Sequence, residues 1–154
     1  MPILRGIAML RRVMQTLYFA YGSNLARRRM RERAPGARIH GRARLEGWCL
    51  VADKPGRDGS AKVNLVRESE SHVWGAVWTL REEDLRVLDH FEGGYSRVAV
   101  TVTADWGPLA ASTYVSTLRS AQTGLERGYK ELLLEGAREQ GLPPEWIAFL
   151  DSLA

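Results

Sequence analysis

The segment TLYFAYGSNL, residues 16–25, predicts a strand, a tight turn and the start of a helix. Five of its first six residues are apolar or aromatic and the other is the β-branched Thr16, which is typical of a short buried strand. Gly22, Ser23 and Asn24 then break the strand, and residues 25–33 contain strong helix formers without Gly or Pro. Either Ser23 or Asn24 can serve as the N-cap of that helix.

This turn has the residues of an anion-binding site. Gly22 allows the backbone to approach a ligand closely, because it has no side chain. The first N–H groups of the following helix have no partner within the helix and would face an anion such as a substrate carboxylate. Ser23 and Asn24 could add side-chain donors. The alternative is a capped turn without a ligand, and the local sequence leaves both interpretations open.

The rest of the chain groups its strands instead of alternating them with helices. We predict strands at residues 37–45, 48–52, 61–66 and 72–80, a helix at 81–91, strands at 95–104 and 110–117, and helices at 125–139 and 143–153. This order predicts an α+β fold, with a small antiparallel or mixed, barrel-like sheet and flanking helices.

A second feature with chemical potential is the end of the helix predicted at residues 81–91. Glu92 follows Leu85 by seven residues and Leu88 by four, so the three side chains lie on one helix face. If the leucines point into the core, the carboxyl of Glu92 points inward as well. Burial raises the pKa of a carboxyl, which suits a general base or acid near neutral pH. The alternative is an exposed residue at the frayed end of the helix.

Length and composition are those of one globular domain. We assign residues 15–154 to it, because the patterned sequence begins at Gln15. Residues 1–14 are short, basic and modestly apolar, and we interpret them as an N-terminal extension that can be disordered. No apolar run is long enough to cross a bilayer, so we expect no membrane association.

The single cysteine favours a reducing compartment, and hence a cytoplasmic protein, because one thiol cannot form an internal disulfide. Cys49 itself is either a nucleophile or a buried strand residue. The histidines, His40, His72 and His90, have no metal-ligand spacing with it or with each other, so we predict no metal site.

Positive charge is concentrated in one segment. The formal net charge is +4, and eight arginines fall in one short stretch: Arg27, Arg28, Arg29, Arg31, Arg33, Arg38, Arg42 and Arg44. A basic surface can attract anions, but an arginine-rich solvated face has the same composition. We therefore expect no nucleic-acid partner.

At two places the sequence resembles the γ-glutamylcyclotransferase family of small AIG2-like proteins. The family's Tyr-Gly-Ser-Asn turn stands at residues 21–24, and its Leu-Asp-x-x-Glu-Gly pattern stands at residues 88–93. The strand at residues 73–78, Tyr114 and the segment 128–143 also resemble the family, so the similarity extends over most of residues 15–153.

The resemblance implies an enzyme that cyclises a γ-glutamyl group to 5-oxoproline without a cofactor and without a metal, in glutathione metabolism. It implies Glu92 as the general base and then the general acid, and a small γ-glutamyl compound as substrate. The implied substrate-binding residues are Tyr21, Gly22, Ser23, Asn24, Tyr95, Tyr114 and Tyr129. Two alternatives remain: a cyclotransferase for γ-glutamylamines or for a larger biosynthetic γ-glutamyl intermediate, and a non-catalytic anion- or ligand-binding protein on the same fold.

Overall fold

The sheet is a closed barrel of five strands. A computed structural model of the protein describes residues 15–121 and 124–154. The strands are β1 (Gln15–Ala20), β2 (Arg38–Pro55), β3 (Ala61–Arg81), β4 (Ser96–Ala104) and β5 (Gly107–Val115). Their order is β1-β3-β2-β4-β5, and all of these neighbours are antiparallel. A parallel pairing of β1 with β5 closes the barrel, which confirms the predicted α+β fold with a mixed sheet.

Helices accompany the barrel in the order predicted from the sequence. They are α1 (Arg27–Arg33), α2 (Glu82–Phe91), α3 (Arg127–Glu139) and α4 (Pro144–Ser152), and a 3-10 turn at Ser23–Leu25 precedes α1. In the described part of the chain, no helix combines the length and the apolar character needed to cross a membrane. The extension predicted at residues 1–14 lies outside the described residues.

Two pairs of predicted strands are single long strands in the structure. β2 spans the segments predicted at residues 37–45 and 48–52, and β3 spans those predicted at 61–66 and 72–80. The β2–β3 register shifts between the pairs Glu46–His72 and Trp48–Arg67, so one residue of β2 lies opposite four residues of β3 and the ladder is irregular at this point. Such a bulge bends a strand without ending it, and for this reason the local sequence suggests two strands.

The predicted side-chain cap of the first helix is wrong. Ala26 occupies the N-cap position of α1 without a side-chain cap, and Ser23 and Asn24 belong to the preceding 3-10 turn. The Asn24 oxygen that would accept a capping hydrogen bond accepts instead from Arg33, and the Asn24 amide donates to Tyr18 and Glu92.

The pairing of β1 with β3 positions the functional site. Gln15 at the start of β1 lies opposite Arg81, the last residue of β3, and α2 begins at the next residue. Ten helical residues span about 15 Å and six strand residues about 20 Å. Because α2 packs against β1, its C-terminal end with Glu92 arrives beside the turn that follows β1.

The core lies inside the barrel and under α2 and α3. Its largest fully buried side chains include Phe19, Leu65, Leu85, Leu88 and Leu133. The burial of Leu85 and Leu88 confirms that this face of α2 points inward. Outside the core, Cys49 is a free, partly buried thiol.

Candidate active site

A cavity of about 400 Å³ lies between the turn after β1, the β2–β3 hairpin and the end of α2. Its walls include every residue that the sequence suggested for the site: Tyr21, Gly22, Ser23, Asn24, Glu92, Tyr95, Tyr114 and Tyr129. Cys49 does not line it. The fold therefore brings the two motifs, which are far apart in the sequence, to one concave surface.

Glu92 ends α2 and points its carboxyl into this cavity. Its N–H donates to the Leu88 carbonyl at 3.0 Å, and its own carbonyl accepts from the Tyr95 N–H at 3.0 Å. The side chain is only 15% exposed. Its Oε1 accepts a hydrogen bond from Asn24 Nδ2 at 2.8 Å. The carboxyl is therefore inward, as the helix face predicted, and is held by the turn.

Three hydrogen bonds orient the Asn24 side chain, and a fourth holds its backbone. Its Nδ2 also donates to the Tyr18 hydroxyl at 3.0 Å, and its Oδ1 accepts from Arg33 Nη1 at 3.0 Å. Its backbone carbonyl accepts from Trp78 Nε1 at 3.0 Å. A side chain held in this way can fix the position of the Glu92 carboxyl without movement of its own.

Burial raises the pKa of the Glu92 carboxyl above its ordinary value. Desolvation is the largest cause, because the charged form loses hydration in the cavity wall. Arg33, the Asn24 hydrogen bond, Lys54 and Arg29 oppose it and lower the pKa; Arg33 Nη1 lies 3.6 Å from Oε1. The balance leaves a carboxyl that takes up a proton more readily than an exposed glutamate does.

Gly22 is needed for packing inside the protein. A Cβ at this position would lie 2.9 Å from Val63 Cγ2 and 3.5 Å from the Tyr129 hydroxyl. The sequence suggested that this glycine admits a ligand, whereas the structure shows that the Val63 side chain occupies the adjacent space. Gly22 nevertheless contributes its backbone to the cavity.

The tyrosines of the cavity are tied to the frame of the protein. Tyr21 donates to the Tyr114 carbonyl at 2.6 Å, and Tyr114 donates to Asp89 Oδ1 at 2.6 Å. Tyr95 donates to the Val63 carbonyl at 2.6 Å, and the Tyr129 hydroxyl accepts from the Val63 N–H at 3.2 Å. Burial raises the pKa of all four hydroxyls. All four are therefore neutral, and Tyr21, Tyr95 and Tyr114 donate their protons to other groups of the protein, whereas the Tyr129 hydroxyl accepts a hydrogen bond.

Five cationic residues of the cavity were missed by the sequence reasoning. They are Arg29, Arg33, Lys54, Arg57 and Lys62. Arg29 and Arg33 belong to the segment interpreted as a solvated face, which holds for the exposed Arg27, Arg28 and Arg31. Arg29 and Arg33 are four residues apart, which puts both on one side of α1. This spacing was the signal available in the sequence. No sequence pattern marks the three hairpin residues.

The donor set does not include a metal site. Among residues 15–121 and 124–154, no three His, Cys, Asp or Glu side chains are arranged to hold a metal ion. What the site offers is a single inward carboxyl, a fixed amide and a cationic surround.

Known proteins are similar to this chain in sequence and in architecture. The AIG2-like family model matches residues 72–150. A γ-glutamylcyclotransferase of Bos taurus is 31% identical over 146 residues, which cover 89% of this chain and 78% of the bovine protein. The Homo sapiens enzyme of the same name is 31% identical over 141 residues, covering 84% and 74%. A solved γ-glutamyl cyclotransferase structure superposes with a TM-score of 0.85 at 29% identity, covering 91% of this chain and 88% of the other.

Proposed function

The chain belongs to the γ-glutamylcyclotransferase family of AIG2-like proteins, and we propose that it releases 5-oxoproline from a γ-glutamyl amide, with Glu92 moving the protons. It is a cyclotransferase, as its relatives' names and the shared architecture support. The observation that carries the proposed mechanism is the Glu92 carboxyl, which faces the cavity, has a raised pKa and is held at 2.8 Å by Asn24.

The reaction is an intramolecular aminolysis. The free α-amine of the γ-glutamyl group attacks its own γ-carbonyl carbon, a new C–N bond closes the five-membered lactam, and the original amide C–N bond breaks. The proton lost by the attacking nitrogen is gained by the leaving nitrogen, so the products are 5-oxoproline and a free amine. No water or cofactor is consumed, because both reacting groups belong to one molecule.

One carboxyl can perform both proton transfers. An α-amine has a pKa near 8, so exposing its lone pair at pH 7 costs only about 1.4 kcal/mol. The harder step is the departure of an amine, which must be protonated as it leaves. Glu92 would take the proton from the attacking nitrogen and deliver it to the leaving nitrogen, and such assistance accelerates a reaction by about 10² to 10⁴.

The remaining walls would hold the substrate in a bent conformation. The turn with Ser23 and Asn24 would bind the glutamyl group and could steady the developing oxyanion. The buried rings of Tyr21, Tyr95, Tyr114 and Tyr129 would shape the space around it, and the hydroxyls of the first three already donate to other groups of the protein. Holding the amine against the carbonyl contributes much of the rate of an intramolecular reaction.

The test is the release of 5-oxoproline from γ-Glu-Ala, γ-Glu-Glu, glutathione and a γ-glutamylamine by wild type and by Glu92→Gln. We expect a fall in kcat of about 10² to 10⁴ in the variant. Glutamine keeps the shape of the side chain and an acceptor for Asn24, so circular dichroism and urea unfolding should show a folded protein. Glu83→Gln is the matched control, because Glu83 is an exposed acid of the same helix, paired with Arg81.

The outcomes distinguish a catalytic Glu92 carboxyl from a binding site without catalysis. Unchanged release in Glu92→Gln would refute the role of its carboxyl. Absence of release from every compound of the panel, in a folded wild type, would favour a non-catalytic binding protein on this fold.

A further inference from the structure

Lys54 is a buried cation in the wall of the cavity. It is only 6% exposed, and its Nζ donates to the Gly93 carbonyl at 2.6 Å and lies 4.6 Å from the centre of the Tyr95 ring. Among the described residues, no carboxylate lies within ion-pair distance of it. An ammonium has three donors and is costly to bury unpaired. Such a group is ready to receive an anion in the adjacent cavity.

Two further cations of the same hairpin line the cavity beside Lys54. Lys62 Nζ lies 4.4 Å from the centre of the Tyr129 ring and 3.6 Å from Asp58 Oδ2. Arg57 Nη2 lies 3.1 Å from the position that a Cβ would take at Gly93, so its guanidinium lies next to the residue that follows Glu92. We call Lys54, Arg57 and Lys62 the hairpin cation site. With Asp58 as its only acid among the cavity residues of the hairpin, it carries three positive charges and one negative charge, a net +2.

A separate pair of cations comes from α1. Arg33 Nη1 lies 3.6 Å from Glu92 Oε1, and Arg29 Nη1 donates to Ser23 Oγ at 3.3 Å. Together with an ionised Glu92 these two arginines give a net charge of +1. They lie at the turn that we propose as the glutamyl-binding part of the cavity, and they suffice for the one free carboxylate of a γ-glutamyl group.

We propose that the hairpin cation site binds the leaving half of the substrate, and that this half is an acidic amino acid with two carboxylates. The inference rests on the proposed function and names its substrate class. Two carboxylates match the net charge of +2, and the buried Lys54, whose Nζ donates to the Gly93 carbonyl, gains a carboxylate within ion-pair distance. A γ-glutamylamine without a carboxylate would leave the net charge of +2 uncompensated and would leave the buried Lys54 without an anion beside it, which disfavours its binding.

The test compares two nearly isosteric substrates, γ-L-glutamyl-L-glutamate and γ-L-glutamyl-L-glutamine, by their kcat/KM for 5-oxoproline release. They differ in the charge of one side chain. Because a close charge pair in a partly desolvated site is worth at least about a tenfold difference in affinity, we expect wild type to prefer the glutamate compound by about tenfold or more. The preference should reside in KM and should shrink as the salt concentration rises.

Variants locate the source of the preference. Arg57→Gln and Lys62→Met should each reduce the ratio of the two kcat/KM values at least threefold. Arg67→Gln removes the same charge from β3 at an exposed residue that lies over the Trp48 ring, outside the cavity, and should keep the wild-type ratio.

Each result decides the proposal. A preference that falls in the two hairpin variants and persists in Arg67→Gln supports it. Equal turnover of both compounds by wild type overturns it while leaving the proposed function intact, and so does a preference that survives in both hairpin variants. Release from other γ-glutamyl compounds but from neither of these two overturns this inference alone, and absence of release from these two and from every compound of the earlier panel overturns the proposed function as well.

Discussion

Removal of the Arg33 charge should raise the pH at which the enzyme becomes active. Arg33 Nη1 lies 3.6 Å from Glu92 Oε1, and the two side chains are only 18% and 15% exposed. The positive charge favours the ionised carboxyl and so lowers the pKa of Glu92. In Arg33→Gln this stabilisation is lost, so the pKa rises further. Glutamine can still donate a hydrogen bond toward Asn24, which limits the change mainly to the charge.

The size of the expected pKa shift follows from the distance between the Arg33 and Glu92 charges. Two unit charges 4 Å apart interact by about 1 kcal/mol in water and about 4 kcal/mol at an effective dielectric constant of 20. Both groups retain contact with solvent, so the lower part of this range applies. One pKa unit corresponds to about 1.4 kcal/mol, and we therefore expect an upward shift of about one unit.

The assay is the pH dependence of kcat/KM for 5-oxoproline release from γ-Glu-Glu between pH 4.5 and 8.5. This quantity reports the ionisation of the free enzyme and the free substrate, and the substrate's own titration is the same for every variant. If Glu92 acts as the base, activity requires its ionised form, so the acid limb moves to higher pH in Arg33→Gln. Arg31→Gln, an exposed charge on the same helix, should leave the limb in place. A limb that stays fixed or moves to lower pH in Arg33→Gln would refute the reasoning.

Two further changes test the frame that holds the site. Leu88→Ala removes a fully buried side chain of α2 and should lower the free energy of unfolding, measured in urea, by about 2–5 kcal/mol. Val87→Ala, at an exposed neighbour, should lower it by less than about 1 kcal/mol. Equal losses of stability in the two variants would contradict the assignment of Leu88 to the buried face of α2. Gly136→Ala places a Cβ 2.5 Å from the Ala26 backbone nitrogen, so the turn must shift and kcat/KM should fall at least about tenfold. Gly128→Ala in the same helix meets only the end of a flexible side chain and should retain more activity; full activity in Gly136→Ala would contradict this account of the turn.

Helical periodicity explains what the sequence predicted best. Leu85, Leu88 and Glu92 are separated by three and four residues, and their common face depends only on the geometry of one helix. The structure confirms that the leucines are buried and that the carboxyl is turned inward. The catalytic role of that carboxyl stays a prediction.

The bounds of the long strands were predicted less well, because the continuity of a strand depends on its neighbour in the sheet. The irregularity between Glu46 and Trp48 lies inside β2 because the neighbouring β3 continues the ladder on both sides of it. A pairing between residues distant in the sequence decides whether such a segment is a break or a bend, and the local pattern contains no information about it. For the same reason Asn24 was expected to cap a helix, whereas its partner is 68 residues away.

The sequence by itself indicated the family, the α+β class and the helix face that Glu92 shares with Leu85 and Leu88, because these depend on short motifs, on the order of elements and on the period of a single helix. Only the tertiary structure decided that Asn24 holds the carboxyl, that the tyrosine hydroxyls are engaged by the frame, and that Lys54, Arg57 and Lys62 surround the cavity with positive charge. These contacts arise when the barrel closes and sets the end of α2 beside the turn after β1 and the β2–β3 hairpin. Their energies depend on distance and desolvation, and neither quantity exists before the chain is folded.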